Sequence, residues 1–265
     1  MFKKNRPVCF ATLAILLHFQ LSAQVLETEE SKPLLPKQFA FGASIEYQKS
    51  KEGYETAIPL AIEYGISKKF TLLIEPVIFT NIASKNTPNA NGIGDLEVTL
   101  FYQIVSEKRI MPSISISAEV KLPTARNNLI GTGKSDFTPF LIFSKTKGRF
   151  FTSLNLSYTF LGKPSGVVAS NLFNYAMGTT YTISPRSILF AEFYGNTAAI
   201  DAVETVIGST PNTKTLEISG GENVGALGYG FYLKKDLILS FGINYDNNNA
   251  ILFRPGIEWK FGGKH

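Results

Sequence analysis

Four carboxylates, Glu75, Asp95, Glu97 and Glu119, stand in runs where apolar and polar residues alternate, and Lys121 follows two positions after the last. In a strand, residues two apart share a face, so carboxylates on neighbouring strands would line one surface. A ring of carboxylates concentrates cations and repels anions. Folding Met111 back on Ile104 brings Glu119 close to the level of Glu97, and joining Phe79 to Gly92 brings Glu75 close to Asp95 and Glu97. Three strands would then share an acidic belt. Setting Phe261 beside Phe39 puts Arg254 near Glu46, an expected ion pair across a closing seam, with Lys121, Lys260 and Glu258 adding charge to the same side. Two readings of the belt stay open: a network of charges and hydroxyls filling a barrel of intermediate width, or a cation-favouring constriction.

Other chemistries lack their residues. The two histidines are His18 and His265, at the chain's ends, so general base catalysis, zinc binding and Ser/His triads have no imidazole in the body. The single cysteine, Cys9, lies in the N-terminal apolar run, which leaves no disulfide or thiol chemistry beyond it. Gly131-Thr132-Gly133-Lys134-Ser135 ends like a phosphate-binding loop, but the pattern needs glycine five residues before Gly133 and finds Asn128. A surface loop is expected there. Gly225, Gly228 and Gly230 miss the dinucleotide fingerprint and sit within an alternating strand, where they would let a barrel wall bend. We expect no cofactor, no metal and no enzyme.

The elements that would position the belt are strands. In 111–122, Ile114, Ile116, Ala118, Val120 and Leu122 point one way, while Ser113, Ser115, Ser117, Glu119 and Lys121 point the other. Twelve such segments follow from alternation: 39–49, 55–66, 70–79, 92–104, 111–122, 136–144, 149–160, 171–183, 188–196, 223–233, 237–245 and 250–261. Every other joint from the second onward is short, and those between are mostly longer. That parity is how single-chain bacterial outer-membrane barrels are strung, with short turns facing the periplasm; a soluble sandwich has no reason for it. The fold class expected is all-β, a transmembrane antiparallel up-and-down barrel of about twelve strands. A further strand pair within 197–222, where Lys214 to Ser219 alternates, would make fourteen.

The oily face carries no charge: Ile58, Leu60, Ile62, Leu72, Ile74, Leu96, Val98 and Leu100 are typical of it. Near its turn-side end lie Phe39, Tyr64, Phe70, Tyr102, Phe143, Phe150, Tyr181, Phe231, Trp259 and Phe261, placed as an interfacial aromatic girdle would be. Pro59, Pro76, Pro139 and Pro255 interrupt strands that need partners on both sides, so bulges or shifted ends are expected there.

Residues 1–23 read as a signal peptide: Lys3, Lys4 and Arg6, an apolar run from Val8 to Phe19, then Leu21-Ser22-Ala23, with cleavage after Ala23 and export by the Sec route. A polar segment, 24–38, separates it from a barrel over 39–261. Three of the 26 basic residues leave with the signal, so 23 face 21 acidic ones, a balance that makes no case for nucleic acid.

Gly92-Ile93-Gly94-Asp95-Leu96 opening a strand, Lys121-Leu122-Pro123-Thr124 closing the next, and Gly131 to Phe137 with Gly133 and Asp136 resemble a known family, the outer-membrane barrels grouped under a MetA pathway of phenol degradation. These motifs cover about a fifth of the chain and carry no catalytic residue. The resemblance implies an outer-membrane barrel that passes small, hydrophobic or aromatic compounds; nothing in the residues points to phenol itself. The expected partners are membrane lipid, lipopolysaccharide and a small-molecule solute. The alternative expectation is a non-transporting barrel with a plugged lumen that binds partners through its loops.

Overall fold

The computed structural model describes residues 27–85, 88–164, 169–197 and 221–263. The signal peptide, His265 and the segment 198–220 lie outside the described residues. Strands of one antiparallel sheet make up the described wall. Two wall strands are each broken into two pieces, so twelve span it: β1 (Gln38–Ser44 and Glu46–Lys49), β2 (Gly53–Gly65), β3 (Phe70–Ser84), β4 (Ala90–Gly92 and Leu96–Val105), β5 (Ser113–Leu122), β6 (Asp136–Lys147), β7 (Phe150–Thr159), β8 (Leu172–Ser184), β9 (Ser187–Asn196), β10 (Asn223–Lys234), β11 (Leu237–Asp246) and β12 (Ile251–Gly262). Each pairs with its neighbour in sequence, and β1 pairs with β12 from Gln38↔Gly262 to Ser44↔Gly256. The sheet therefore closes and has no edge to protect.

Alternation decides which residues face in. On β5, Ser113, Ser115 and Ser117 are buried inside, whereas Ile116, Val120 and Leu122 are exposed outside. The same holds around the wall, with Leu100, Leu154, Leu239, Phe241, Ile243 and Ile257 all turned outward. The interior is not uniformly polar. Ile188, Phe190, Tyr232 and Ile238 pack together inside β9–β11, and Ala61, Leu73, Phe101 and Ile142 do so on the facing side. These clusters give two of the β10 glycines a role that wall bending did not anticipate. A Cβ on Gly228 would lie 2.0 Å from the Phe190 ring, and one on Gly230 would lie 2.7 Å from Ile238 Cδ1.

The prolines sit where the ladder lapses. The β2–β3 register shifts between Ile58 and Pro59, Pro76 ends the β3–β4 pairing opposite Leu96, and Pro139 falls between the Phe137↔Phe160 bridge and Phe140↔Ser157. Pro255 faces the break in β1, where its carbonyl still accepts the Ile45 N–H at 3.0 Å. Each removes a donor where the ladder shifts, ends or lapses.

Short turns at 66–69, 106–112, 148–149, 185–186 and 235–236 mark one end of the barrel, hereafter the turn end. At that end Phe39 packs on Tyr64 and Phe261, Phe70 on Tyr102, Phe150 on Tyr181 and Trp259 on Phe261, with centroids 4.6–5.6 Å apart. A second group of aromatics, unforeseen from sequence, lies at the loop end of β6–β9: Phe137–Phe160–Tyr158 and Phe173–Tyr175–Phe193. The apolar face is thus bounded at both ends, as a bilayer with two interfaces requires. Leu100 lies midway along β4 on that face. Leu100→Arg should cost about 2–4 kcal/mol of unfolding free energy in liposomes, read by urea denaturation, while Leu100→Val should cost under half as much.

Candidate functional site

The lumen is not left to solvent. Residues 27–36 run back through it from the turn end, and the reversal is written in four residues. Gln38 N–H donates to the Leu35 carbonyl at 2.9 Å, closing a turn with Pro36 at its second position and Lys37 at its third with φ 62°. Proline presets the first of these angles, and a positive φ at the next is the signature of a type II turn. Gly65 makes the passage possible, because a Cβ there would stand 2.0 Å from the Leu35 carbonyl oxygen.

Beyond the turn the extended segment has no strand partner, so its backbone bonds go to wall side chains. Leu34 N–H donates to Thr71 Oγ1 at 3.0 Å, Ser31 N–H to Ser144 Oγ at 2.9 Å and Glu29 N–H to Asn155 Oδ1 at 2.7 Å. In return, the Ser31 carbonyl accepts from Ser115 Oγ at 2.5 Å, and the Glu29 carbonyl from Ser153 Oγ at 2.6 Å and Asn155 Nδ2 at 3.1 Å. Further along, Glu27 N–H and the Thr28 hydroxyl both donate to the Glu192 carboxylate, and Gly178 leaves room for Thr28. The polar stripe of β5 thus serves as one wall of a binding channel for the chain's own N-terminal segment. Each such bond contributes about 0.5–1.5 kcal/mol net, and leaving these buried groups unpaired would cost more.

Charge fixes the far end of the segment. Arg254 holds Glu46 through Nε at 2.9 Å, the seam pair expected from sequence, and also Glu27 through Nη2 at 2.7 Å. Glu258 pairs with Lys260 at 3.2 Å. The belt forms as a cluster: Glu75 stands directly opposite Glu97, Glu97 opposite Lys121, and Glu119 opposite Thr99, whose hydroxyl is 3.5 Å from the Glu119 carboxylate. Glu29 brings a further carboxylate among them from the segment, with Glu63 and Glu119 as electrostatic neighbours. At the level of the belt a cavity of about 180 Å³ lies beside the segment, lined by Glu27, Glu29, Glu46, Glu63, Glu75, Glu97 and Glu258 with Arg254 as its cation.

Asp95 belongs elsewhere. It lies 4.0 Å from the Lys121 ammonium, which also grips Asp136, and its carboxylate accepts the Ala125 N–H at 2.9 Å. Thr124 Oγ1 donates to the Gly94 carbonyl at 3.0 Å, and a Cβ on Gly131 would meet Ala125 and Asp95. The three sequence motifs singled out above therefore converge on one knot around Lys121, at the loop end of β4–β6. The phosphate-loop-like stretch is part of this knot and follows a loop, not a buried strand. Sequence reasoning missed Glu27, Glu29, Glu63 and Glu192. Alternation alone would have turned Glu63 and Glu192 inward; no periodic signal marks the segment's residues.

A closed ladder with an apolar band between two groups of aromatics, and with polar and ionised side chains inside, defines a β-barrel of the outer-membrane kind. The chain belongs to the family described as "Putative MetA-pathway of phenol degradation", whose model matches residues 22–245. Among solved structures it is similar to the COG4313 outer membrane channel from Pseudomonas putida F1, with TM-score 0.65 and 11% identity over 89% of this chain and 100% of that one. It is also similar to the NanC porin, with TM-score 0.57 and 13% identity over 83% of this chain and 100% of that one. The KdgM porin in complex with disordered oligogalacturonate gives TM-score 0.54 and 11% identity over 83% and 99%. At such identities the likeness is one of fold. No curated protein matches the chain.

Gly178→Val places two methyl groups where Thr28 lies and should drive the segment from its channel. A glutamate-specific protease should then cut after Glu29 and Glu30 at least tenfold faster than in the parent barrel, with the heat-modifiable folded band retained.

Proposed function

We propose that the chain is a passive conduit of the outer membrane, reached after Sec export, that admits small polar solutes and favours cations, with its bore narrowed by its own N-terminal segment. The observation that carries this is the cavity beside the segment, with its seven carboxylates against one guanidinium. Carboxylates facing one another across a narrow space raise the local concentration of cations and turn anions away. Fold likeness to a COG4313 channel and two porins supports the reading, and so does family membership. The family's name points toward aromatic compounds; the belt offers them charge rather than apolar surface, so phenol-like solutes are not the class we favour. The outer apolar face contacts membrane lipid, and its loop-end aromatics would meet lipopolysaccharide.

A second reading, a lumen held shut, is favoured by the density of bonds on residues 27–36. Planar-bilayer recording separates them. The refolded protein should show small, cation-selective steps, and Glu97→Gln with Glu119→Gln should lower the cation-to-anion permeability ratio at least twofold. Deleting residues 24–34 should raise conductance severalfold. Conductance only after that deletion would establish the closed barrel, and anion selectivity or silence of both forms would end the proposal.

A further inference from the structure

A cavity of about 410 Å³ lies at the turn-end mouth, outside the acidic belt. One wall is the segment just before its turn, Pro33 to Pro36; the facing wall is Phe151, the aromatic ring that β7 turns inward at this end. Its polar floor is bonded within itself. Gln103 Nε2 donates to Ser113 Oγ at 2.9 Å, Ser106 Oγ donates to Gln103 Oε1 at 3.0 Å, and the Ser144 and Ser153 hydroxyls share a bond of 2.9 Å. What faces the space is therefore mainly proline, leucine and phenylalanine surface.

Two ammonium groups border it, Lys32 from the segment and Lys68 from the β2–β3 turn, and among the described residues neither has an ion-pair partner. The acid on the same rim, Glu107, is already compensated. Lys145 stands 3.1 Å from it, and Thr146 donates to it from its N–H at 2.9 Å and its hydroxyl at 3.2 Å. Partial burial works against that carboxylate, yet the Thr146 N–H and Lys145 hold it below the usual carboxylate range. Glu30, the other acid near Lys32, has Lys260 as its stronger cationic neighbour and Lys32 as the weaker one, with no ion pair between Glu30 and Lys32. The adjacent turns and strand ends add Lys69, Lys108, Arg109, Lys147 and Arg149, so the field over the mouth is positive.

We propose that this mouth is a binding site for a small amphipathic carboxylate, an aryl or alkyl acid whose apolar body lies between Leu34, Leu35 and Phe151 while its anion meets Lys32 and Lys68. A volume of this size is in the range of ligand pockets, which combine an apolar lining with a few placed charges. The walls face inward, away from the aromatic girdle, so the occupant is a free solute and not a bilayer lipid. The acidic belt above repels the same anion, so the site fills from the turn side. Because one wall is the segment itself, an occupant also braces residues 32–36 in place.

The test is titration of the refolded mature barrel with 4-phenylbutyrate and with its uncharged amide, followed by saturation-transfer NMR at low salt. The acid should bind saturably and at least tenfold tighter than the amide. Lys32→Gln with Lys68→Gln should weaken the acid at least tenfold, and Phe151→Ala should weaken both probes. Arg186→Gln, in a turn on another part of the rim, should change neither. Lys32 and Lys68 lie outside the strands, so the double variant keeps a folded barrel, checked by heat-modifiable migration. Equal binding of acid and amide, which marks partition into detergent, would overturn the proposal. An unaffected double lysine variant, or an equal loss with Arg186→Gln, would also overturn it.

Discussion

Hydrocarbon offers a peptide group nothing to bond with, and that absence governs the whole molecule. Each N–H and C=O at membrane depth must find its partner within the chain. A β-sheet achieves this only by returning to its own first strand. Here the return is the β1–β12 ladder, and once it is made, side-chain period and wall curvature together dictate an oily exterior and a polar interior. The four wall prolines survive because each falls at a bulge, a break or a lapse in pairing, so none leaves a lone carbonyl facing lipid in a continuous ladder.

The interior inherits the opposite problem, because hydroxyls, amides and carboxylates crowd a space with limited water. The N-terminal segment resolves part of it. An extended peptide supplies N–H and C=O groups at regular intervals, and Ser115, Ser144, Ser153 and Asn155 take them as a neighbouring strand would. Arg254, flanked by Glu46 from the wall and Glu27 from the segment, shows the same economy: one buried cation answers one acid from each layer. The carboxylates left over face the cavity beside the segment. Solute preference and barrel architecture thus arise from the same alternation, read on opposite faces.

Much of this is legible in the sequence. Closing Phe261 on Phe39 gives the observed register, and with it the Arg254–Glu46 pair, since the break in β1 leaves the register unchanged on either side. The belt was legible in kind and less so in level. Folding Met111 on Ile104 slips the β4–β5 pairing by three residues, because the turn there spans 106–112 and a register shift follows Gln103, which sets Glu119 opposite Thr99. β3 runs on to Ser84, beyond its expected end at Phe79, since the β2 strand opposite continues to Gly53. The segment was not legible at all. Its bonds reach wall side chains 37 to 227 residues away, and an extended peptide bonded to side chains leaves no period in its own sequence. The knot at Lys121 lay between: its motifs stood out, but only the fold shows that they meet.

The central claim is that the closed wall binds its own N-terminal segment inside, through backbone groups. Amide hydrogen exchange on the protein refolded into liposomes reads those groups one by one. The N–H groups of Glu27, Glu29, Ser31 and Leu34 should exchange at least a hundredfold more slowly than in the free peptide 24–36, and nearly as slowly as mid-strand amides of β5. Exchange of all four at the free-peptide rate, with the wall strands still protected, would contradict it.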